Sequence, residues 1–237
     1  MSRNMPLNTP AAIFDVDGTL VDSRRIIGLS MDAAFKAEGL IPPGYEVTRT
    51  IVGLSLEIAI DRIAPRGVDA DGVKRLAEHY KNAYIELRAD PAMQAPLYDG
   101  ALELLETLQA KGWQIGVATG KSRRGLDIFI EQKNLSRFFS AHYCADDGPS
   151  KPNAFMVEAN LAALSRMPHE AVMIGDTSFD IHMGQNADVA TIGVDWGFHT
   201  KAELIKCKAD IVVSTMADLE AALIRFADKG VWCEWFR

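Results

Sequence analysis

The sequence predicts an α/β fold: a doubly wound parallel sheet with a helical cap domain inserted after its first strand. Three observations predict it. Short apolar runs without a charged interior position recur at Ala11–Phe14, Gln114–Ala118, 141–144, 171–174, Ala190–Val194 and 210–213, which suits strands buried on both faces. From the second run onward, stretches of helical composition separate them, and strand–helix–strand repetition implies right-handed crossovers in a single parallel sheet. Between the first and second runs, residues 23–95 hold no convincing strand.

The elements follow in order. The first strand stops on Asp15. The long stretch after it places Ile27, Met31, Ala34 and Phe35 at helical spacing over 24–38, and Leu56, Ile60 and Ile63 over 55–63. Over 73–87, Val73, Leu76, Ala77, Tyr80, Tyr84 and Leu87 form one apolar stripe, which reads as the packing face of a helical bundle. The stretch begins near Ser23 and ends near Pro96, so two linkers join it to the rest, a geometry that suits a cap hinged over a site. The domain division is therefore 1–22 plus 96–237 for a Rossmann-like core and 23–95 for the cap. Within the core, helix 101–111 carries Leu102, Leu105 and Leu108 on one face and stops at Gly112. Further helices are expected at 122–133, 154–166, 179–186 and 216–228. The aromatic tail, residues 231–237, is expected to dock onto the domain surface.

The bulk numbers exclude several classes. With 237 residues the chain is one large domain or two modest ones. The charge of −7, from 25 basic and 32 acidic residues, offers no basic surface to a nucleic acid or an anionic membrane. Three scattered cysteines, Cys144, Cys207 and Cys233, form neither a disulfide framework nor a zinc motif and fit a reducing compartment. No secretory signal is legible at the N-terminus, and no window approaches the roughly 18 apolar residues of a membrane span. The expected location is the cytoplasm, as a monomer or homodimer.

Ligands of open α/β sheets bind at the carboxyl ends of the strands, and the polar residues here collect at those ends. The first strand runs into Asp15-Val16-Asp17-Gly18-Thr19. In extended chain, positions two apart face the same way, so Asp15 and Asp17 point into one space. Two carboxylates that close repel unless a cation or a proton lies between them, which predicts a bound Mg²⁺, given all-oxygen ligation, or a nucleophile beside a general acid. Gly18 lets the backbone approach a ligand, and Thr19 adds a hydroxyl and an N–H. The second strand ends in Thr119-Gly120-Lys121-Ser122, a hydroxyl and consecutive N–H groups opening a helix: a phosphate site or an ordinary N-cap. After the third strand, Lys151 stands before Pro152, where it can supply positive charge to an anionic transition state. The fourth ends in Gly175-Asp176-Thr177-Ser178-Phe179-Asp180, where Asp176 either completes a metal site as a third carboxylate or, like Ser178, caps a helix, and Asp180 lies one helical turn further on.

The order Asp-x-Asp-Gly-Thr, strand-Thr-Gly, Lys-Pro, Gly-Asp-Thr-x-x-Asp resembles the haloacid dehalogenase superfamily, in its helical-cap, phosphoglycolate-phosphatase-like branch, over about residues 11–225. The resemblance implies a Mg²⁺-dependent phosphatase acting on a small phosphorylated metabolite. Asp15 would be the nucleophile and Asp17 the general acid and then base. Mg²⁺ would sit between Asp15, the backbone carbonyl of Asp17 and Asp176. Thr119 and the N–H of Gly120 would bind phosphoryl oxygens, Lys151 would neutralise phosphoryl charge, and Asp180 would support Lys151 or the metal shell. The chemistry agrees, since a carboxylate attacks a phosphoryl dianion only if cations screen the repulsion.

Two departures and two alternatives accompany this reading. Asn153-Ala154 follows Lys151-Pro152, where many relatives have His-Pro. The cap loop Thr50 to Ser55 resembles one that faces the site, which makes Gly53 and Arg49 candidate substrate contacts, although a helix-entry turn explains the same residues. A sugar-phosphate mutase of the β-phosphoglucomutase type shares these motifs, and a receiver-type phosphoacceptor also combines Asp, Thr and Lys at strand ends. The insert and the Asp15/Asp17 pair argue against the receiver, which needs neither cap nor leaving-group acid.

Overall fold

The computed structural model describes residues 10–229. Six strands form one parallel sheet in the order β3-β2-β1-β4-β5-β6: β1 (Ala11–Phe14), β2 (Gln114–Ala118), β3 (Phe139–Tyr143), β4 (Ala171–Gly175), β5 (Ala190–Val194) and β6 (Ile211–Val213). The helices are α1 (Arg24–Ala37), α2 (Gly44–Thr48), α3 (Leu56–Ile63), α4 (Ala70–Ala89), α5 (Ala101–Ala110), α6 (Arg123–Gln132), α7 (Phe155–Leu164), α8 (Ser178–Asn186), α9 (Lys201–Lys206) and α10 (Met216–Lys229). The doubly wound parallel sheet expected from the sequence is the one observed.

Alternation along the strands sorts their side chains onto two faces. Ala12 and Phe14 of β1 face a core with Leu104, Leu105 and Leu108 of α5, Leu126 of α6 and Leu219 of α10. Ala11 and Ile13 face the other, with Met156 and Leu161 of α7 and Met183 of α8. Pairing β1 with β2 on one side and β4 on the other, in register Phe14 to Val117 and to Ile174, sets the three strand ends level. Asp15, Thr119 and Asp176 therefore leave the sheet at one edge.

Three expectations are corrected. The third strand is Phe139–Tyr143, starting two residues before 141, and it is not covered on both faces: Ser140 and His142 are exposed, because β3 ends the sheet. On α5 the buried face is Ala101, Leu104, Leu105 and Leu108, whereas Leu102 points outward. Helices α2 and α9 were not foreseen; at five and six residues they are too short to show a period. The aromatic tail lies outside the described residues.

All of α1–α4 lies between β1 and β2, and it has an apolar core of its own. Met31, Ala34 and Phe35 of α1 pack with Ile60 of α3 and Val73, Leu76 and Ala77 of α4, together with Phe179 of α8. The two connections to the sheet run side by side. The Asp22 N–H donates to the Pro96 carbonyl at 2.9 Å, and the Tyr98 N–H to the Leu20 carbonyl at 3.0 Å. No helix among the described residues is long and apolar enough to cross a membrane.

Candidate active site

The first strand delivers Asp15 into a fully buried setting. Its Oδ1 accepts from the Lys151 ammonium at 2.6 Å, and the same ammonium donates to Asp180 Oδ1 at 2.6 Å. Asp180 reaches this position because α8 opens one residue after Thr177: its Oδ2 accepts from the Thr177 N–H at 3.0 Å and from the Thr177 hydroxyl at 2.7 Å, closing the first turn. Asp176, at the tip of β4, accepts from the Thr19 hydroxyl at 2.9 Å and from the Phe198 N–H at 2.7 Å. Carboxylate oxygens of Asp15, Asp176 and Asp180 all lie within 4.8 Å of one another.

This arrangement carries more negative charge than its one buried lysine offsets. Burial pushes the Asp15 carboxyl up to about 7; Lys151 opposes the rise, and Asp180 and Asp17 add to it. Burial, then Asp180 and Asp15, push Asp176 well above the carboxylate range. Burial alone would lower the Lys151 ammonium, but Asp15 and Asp180 outweigh it and hold the lysine charged. Three carboxylates less one ammonium leave two charges to balance. Asp15 Oδ2, buried, has no hydrogen-bond partner among the described residues. An all-oxygen set with a free carboxylate oxygen and that imbalance fits a hard divalent cation. Asp15 offers it an unpartnered oxygen; Asp176 would ligate it while accepting from Thr19 and Phe198, and Asp180 is taken up by Lys151 and Thr177.

Asp17 faces the same cavity as Asp15, with one of its oxygens engaged by a lysine. Lys121 Nζ sits 2.8 Å from Asp17 Oδ2 and lies 5.8 Å from the centre of the Tyr84 ring. The other Asp17 oxygen, Oδ1, is buried and has no hydrogen-bond partner among the described residues. Lys121 is a site residue to which the sequence pattern assigns no role; the signal for it is its place beside Thr119 and Gly120 at a strand end. Burial opposes the Lys121 charge, and Asp17 more than restores it.

The cavity above Asp15 measures about 700 Å³ and is bounded on one side by Thr119, Gly120 and Lys121 and on the other by the helices of the insert. Lys151 and Asp176 are buried next to Asp15 and its neighbours and do not line the cavity. Thr119 is buried at the floor, and Ser122 caps α6 by accepting from the Gly125 N–H. Gly120 sits under the carbonyls of Gly53 and Leu54, so close that a Cβ there would stand 2.6 Å from the Gly53 oxygen. Gly53 lines the cavity, as expected for a cap-loop contact. The Ser55 N–H donates to the Ser150 hydroxyl at 2.9 Å, holding that loop onto the sheet side.

Three expected substrate contacts have other employment. Arg49 lies outside the cavity lining. Its guanidinium donates to Glu46, to Glu203 of α9 and to the Phe198 carbonyl, tying the insert to the sheet side. Thr19 spends its hydroxyl on Asp176. Gly18, at φ +84°, faces Asp176 and not the cavity: a Cβ would meet Asp176 Oδ2 at 2.2 Å. Gly197, in the loop after β5, presses on the same oxygen from a second direction, again at 2.2 Å for a built Cβ. That loop was missed because it contributes a backbone N–H and an absent side chain, not a reactive group. Gly197→Ala is expected to displace Asp176, cost about 1–3 kcal/mol through overpacking, and shrink the Mg²⁺-induced rise in Tm. Thermal denaturation with and without Mg²⁺ checks it.

Comparison with known proteins agrees with this geometry. Residues 12–194 match the family model described as haloacid dehalogenase-like hydrolase. The chain belongs to the haloacid dehalogenase-like hydrolases. Among its relatives are a phosphoglycolate phosphatase of Agrobacterium fabrum, 29% identical over 94% of this chain and 96% of the relative, and the pyrophosphatase PpaX of Bacillus mycoides, 28% identical over 93% and 99%. A hydrolase from Pseudomonas syringae shares the fold of this haloacid dehalogenase-like chain, with a TM-score of 0.81 at 24% identity, covering 92% of this chain and 99% of that one.

Proposed function

We propose that this hydrolase is a Mg²⁺-dependent phosphomonoesterase of the cytoplasm that works through an aspartyl-phosphate, with residues 1–22 and 96–237 as its core and 23–95 as its cap. The observation that carries the proposal is Asp15: buried at the end of the first strand, one oxygen held by Lys151 and the other free. The free oxygen attacks phosphorus. The bond from phosphorus to the ester oxygen breaks, and Asp17, protonated from solvent as Lys121 leaves it for the substrate, gives that proton to the departing alkoxide. Asp17 then takes a proton from water as the water attacks phosphorus, which frees Asp15 and releases orthophosphate. Lys151 keeps Asp15 aligned and balances charge gathering at the phosphoryl group. Thr119 and the Gly120 N–H hold phosphoryl oxygens. Lys121, drawn off Asp17 by the arriving anion, pairs with the substrate. Asp15, Asp176 and the Asp17 carbonyl would hold Mg²⁺, which would supply Lewis-acid screening of the phosphoryl dianion.

The relatives do not fix the substrate, since a phosphoglycolate phosphatase and a pyrophosphatase stand at nearly equal identity. The test is phosphate release by purified protein with Mg²⁺ from p-nitrophenyl phosphate and a panel of phosphometabolites. Turnover is expected, and silence across the panel overturns the reading. Glucose 1-phosphate converted to an isomer, without free phosphate, would assign a mutase, and a phosphoenzyme lasting many minutes a receiver.

Metal binding and pH are linked through Asp15. Its carboxyl is raised from 3.8 to about 7 in the fold, so the metal-free native state binds a proton that the unfolded chain releases. Stability from this group is therefore lost as pH rises from about 4 through about 7. Mg²⁺ competes with that proton and gains affinity over the same window. At one hundred times its dissociation constant Mg²⁺ stabilises by about 2.7 kcal/mol. The Mg²⁺-induced Tm rise at fixed concentration is expected to be larger at pH 8 than at pH 5.5, and an equal rise at both would contradict the role of Asp15.

A further inference from the structure

We infer that the alcohol carried by the substrate is a ring-sized apolar body bearing a second anion, not a two-carbon acid. The inference rests on the phosphomonoesterase reading and narrows it. The cavity over Asp15 is about 700 Å³, in the size range that encloses a drug-sized ligand. At about 30 Å³ per water, a phosphoester of a two-carbon acid would leave most of that space to solvent. Its walls are mainly apolar, with Ile27, Met31, Leu54 and Ile128 among them, and such walls favour an apolar occupant over water.

One stripe of α4 gives the space its direction. Tyr80, Tyr84 and Arg88 follow at intervals of four residues and all line the cavity. The two rings stack, with centroids 6.1 Å apart and planes at 30°. They stand over the Asp17–Lys121 pair: Lys121 lies against Tyr84, and the Asp17 charge reaches Tyr80, whose phenol burial already pushes up. Arg88 is one turn beyond Tyr84, about 6 Å along the axis at 1.5 Å per residue, where the cavity meets a smaller one lined by Gln94, Ala95 and Gln132. Opposite it, from the first turn of α6, comes Arg124. Neither arginine makes a hydrogen bond or ion pair among the described residues. Most other cations at this site are engaged: Lys121 by Asp17, Lys151 by Asp15 and Asp180, Lys81 by Glu78. An aromatic wall beside the Asp17–Lys121 pair, with a guanidinium without a partner among the described residues from the insert and another from α6, is a site for a planar body that carries a carboxylate or phosphate besides the reacting one.

The experiment compares kcat/KM of the full chain with Mg²⁺ on phosphoglycolate, benzyl phosphate and 4-carboxybenzyl phosphate, whose leaving groups are all alkyl alcohols. The expected order is 4-carboxybenzyl above benzyl above phosphoglycolate, with at least about tenfold between the extremes, a difference that one charged hydrogen bond supplies. The double variant Arg88→Ala/Arg124→Ala, checked by Tm for an intact fold, is expected to lower the ratio of 4-carboxybenzyl to benzyl turnover by about tenfold. Phosphoglycolate turned over as well as or better than 4-carboxybenzyl phosphate overturns the inference and leaves the phosphatase reading standing. A ratio unmoved by the double variant overturns the assignment of the second anion. No phosphate from any of the three, or from p-nitrophenyl phosphate, removes the phosphatase reading itself.

Discussion

Asp15→Asn is expected to lower kcat by at least about 10⁴-fold, the scale seen when a covalent nucleophile is removed from a preorganised site, while the protein stays folded. The substitution is nearly isosteric. The amide oxygen still accepts from Lys151, so the 2.6 Å contact has a successor, but an amide has no anionic oxygen to attack phosphorus. The stability outcome is opposite in sign to the activity outcome. Above pH 7 the wild-type site must hold Asp15 ionised against burial and the nearby carboxylates, and an uncharged amide removes that cost. Without Mg²⁺ at pH 8, Tm is expected to stay level or rise. With Mg²⁺ the gain in Tm is expected to shrink, because one ligand has lost its charge. Steady-state kinetics and thermal denaturation at two Mg²⁺ concentrations check both halves. Retained turnover would remove Asp15 from the chemistry, and a collapsed Tm would mean that its charge serves the fold.

The sheet and the residues at its edge were legible because each rests on a local signal. Asp15 and Asp17 follow an apolar run, Thr119 and Asp176 end strands, and Lys151 precedes a proline; the chain needs only a parallel sheet to bring them together, and alternation of apolar runs predicts that sheet. What stayed illegible depends on pairings between distant segments. Arg49 is polar, in a loop near the site, and nothing local reveals that Glu203 lies within 3.1 Å of it. Lys121 was in view, but its partner Asp17 is set by the turn after β1. Tyr80 and Tyr84 belong to an apolar stripe whose first half, Val73, Leu76 and Ala77, is buried core. The stripe has one period throughout, so sequence cannot show that its second half opens onto a cavity. Gly197 and the Phe198 N–H act through backbone, which carries no compositional mark at all.

Lys151→Met separates the charge of this lysine from its bulk. The side chain is fully buried and touches Asp15 and Asp180 equally, so methionine fills much of the space and deletes the ammonium. Breaking a buried ion pair by removing one partner costs about 3–5 kcal/mol, because the other charge is left behind. For a chain of this size, at about 2–4 °C per kcal/mol, Tm is expected to fall by some 6–20 °C without metal at pH 8. The deficit is expected to narrow at pH 5.5. With the ammonium gone, Asp15 and Asp176 favour their protonated forms still more, so the folded variant takes up protons over a range where the unfolded chain does not, and acid restores stability. Mg²⁺ is expected to recover part of the deficit as well, since a divalent cation offsets the same carboxylates. It should not recover kcat, expected to drop by at least about 10²–10³-fold, because the preorganised positive group that aligns Asp15 beside the reacting phosphoryl is lost. Lys151→Arg makes the comparison sharper: it returns the charge as a planar fork too large for a pocket shaped around an ammonium. If arginine restored full activity, Lys151 would be acting as a charge alone; a rescue of Tm without a rescue of kcat is the outcome that position, and not charge, predicts.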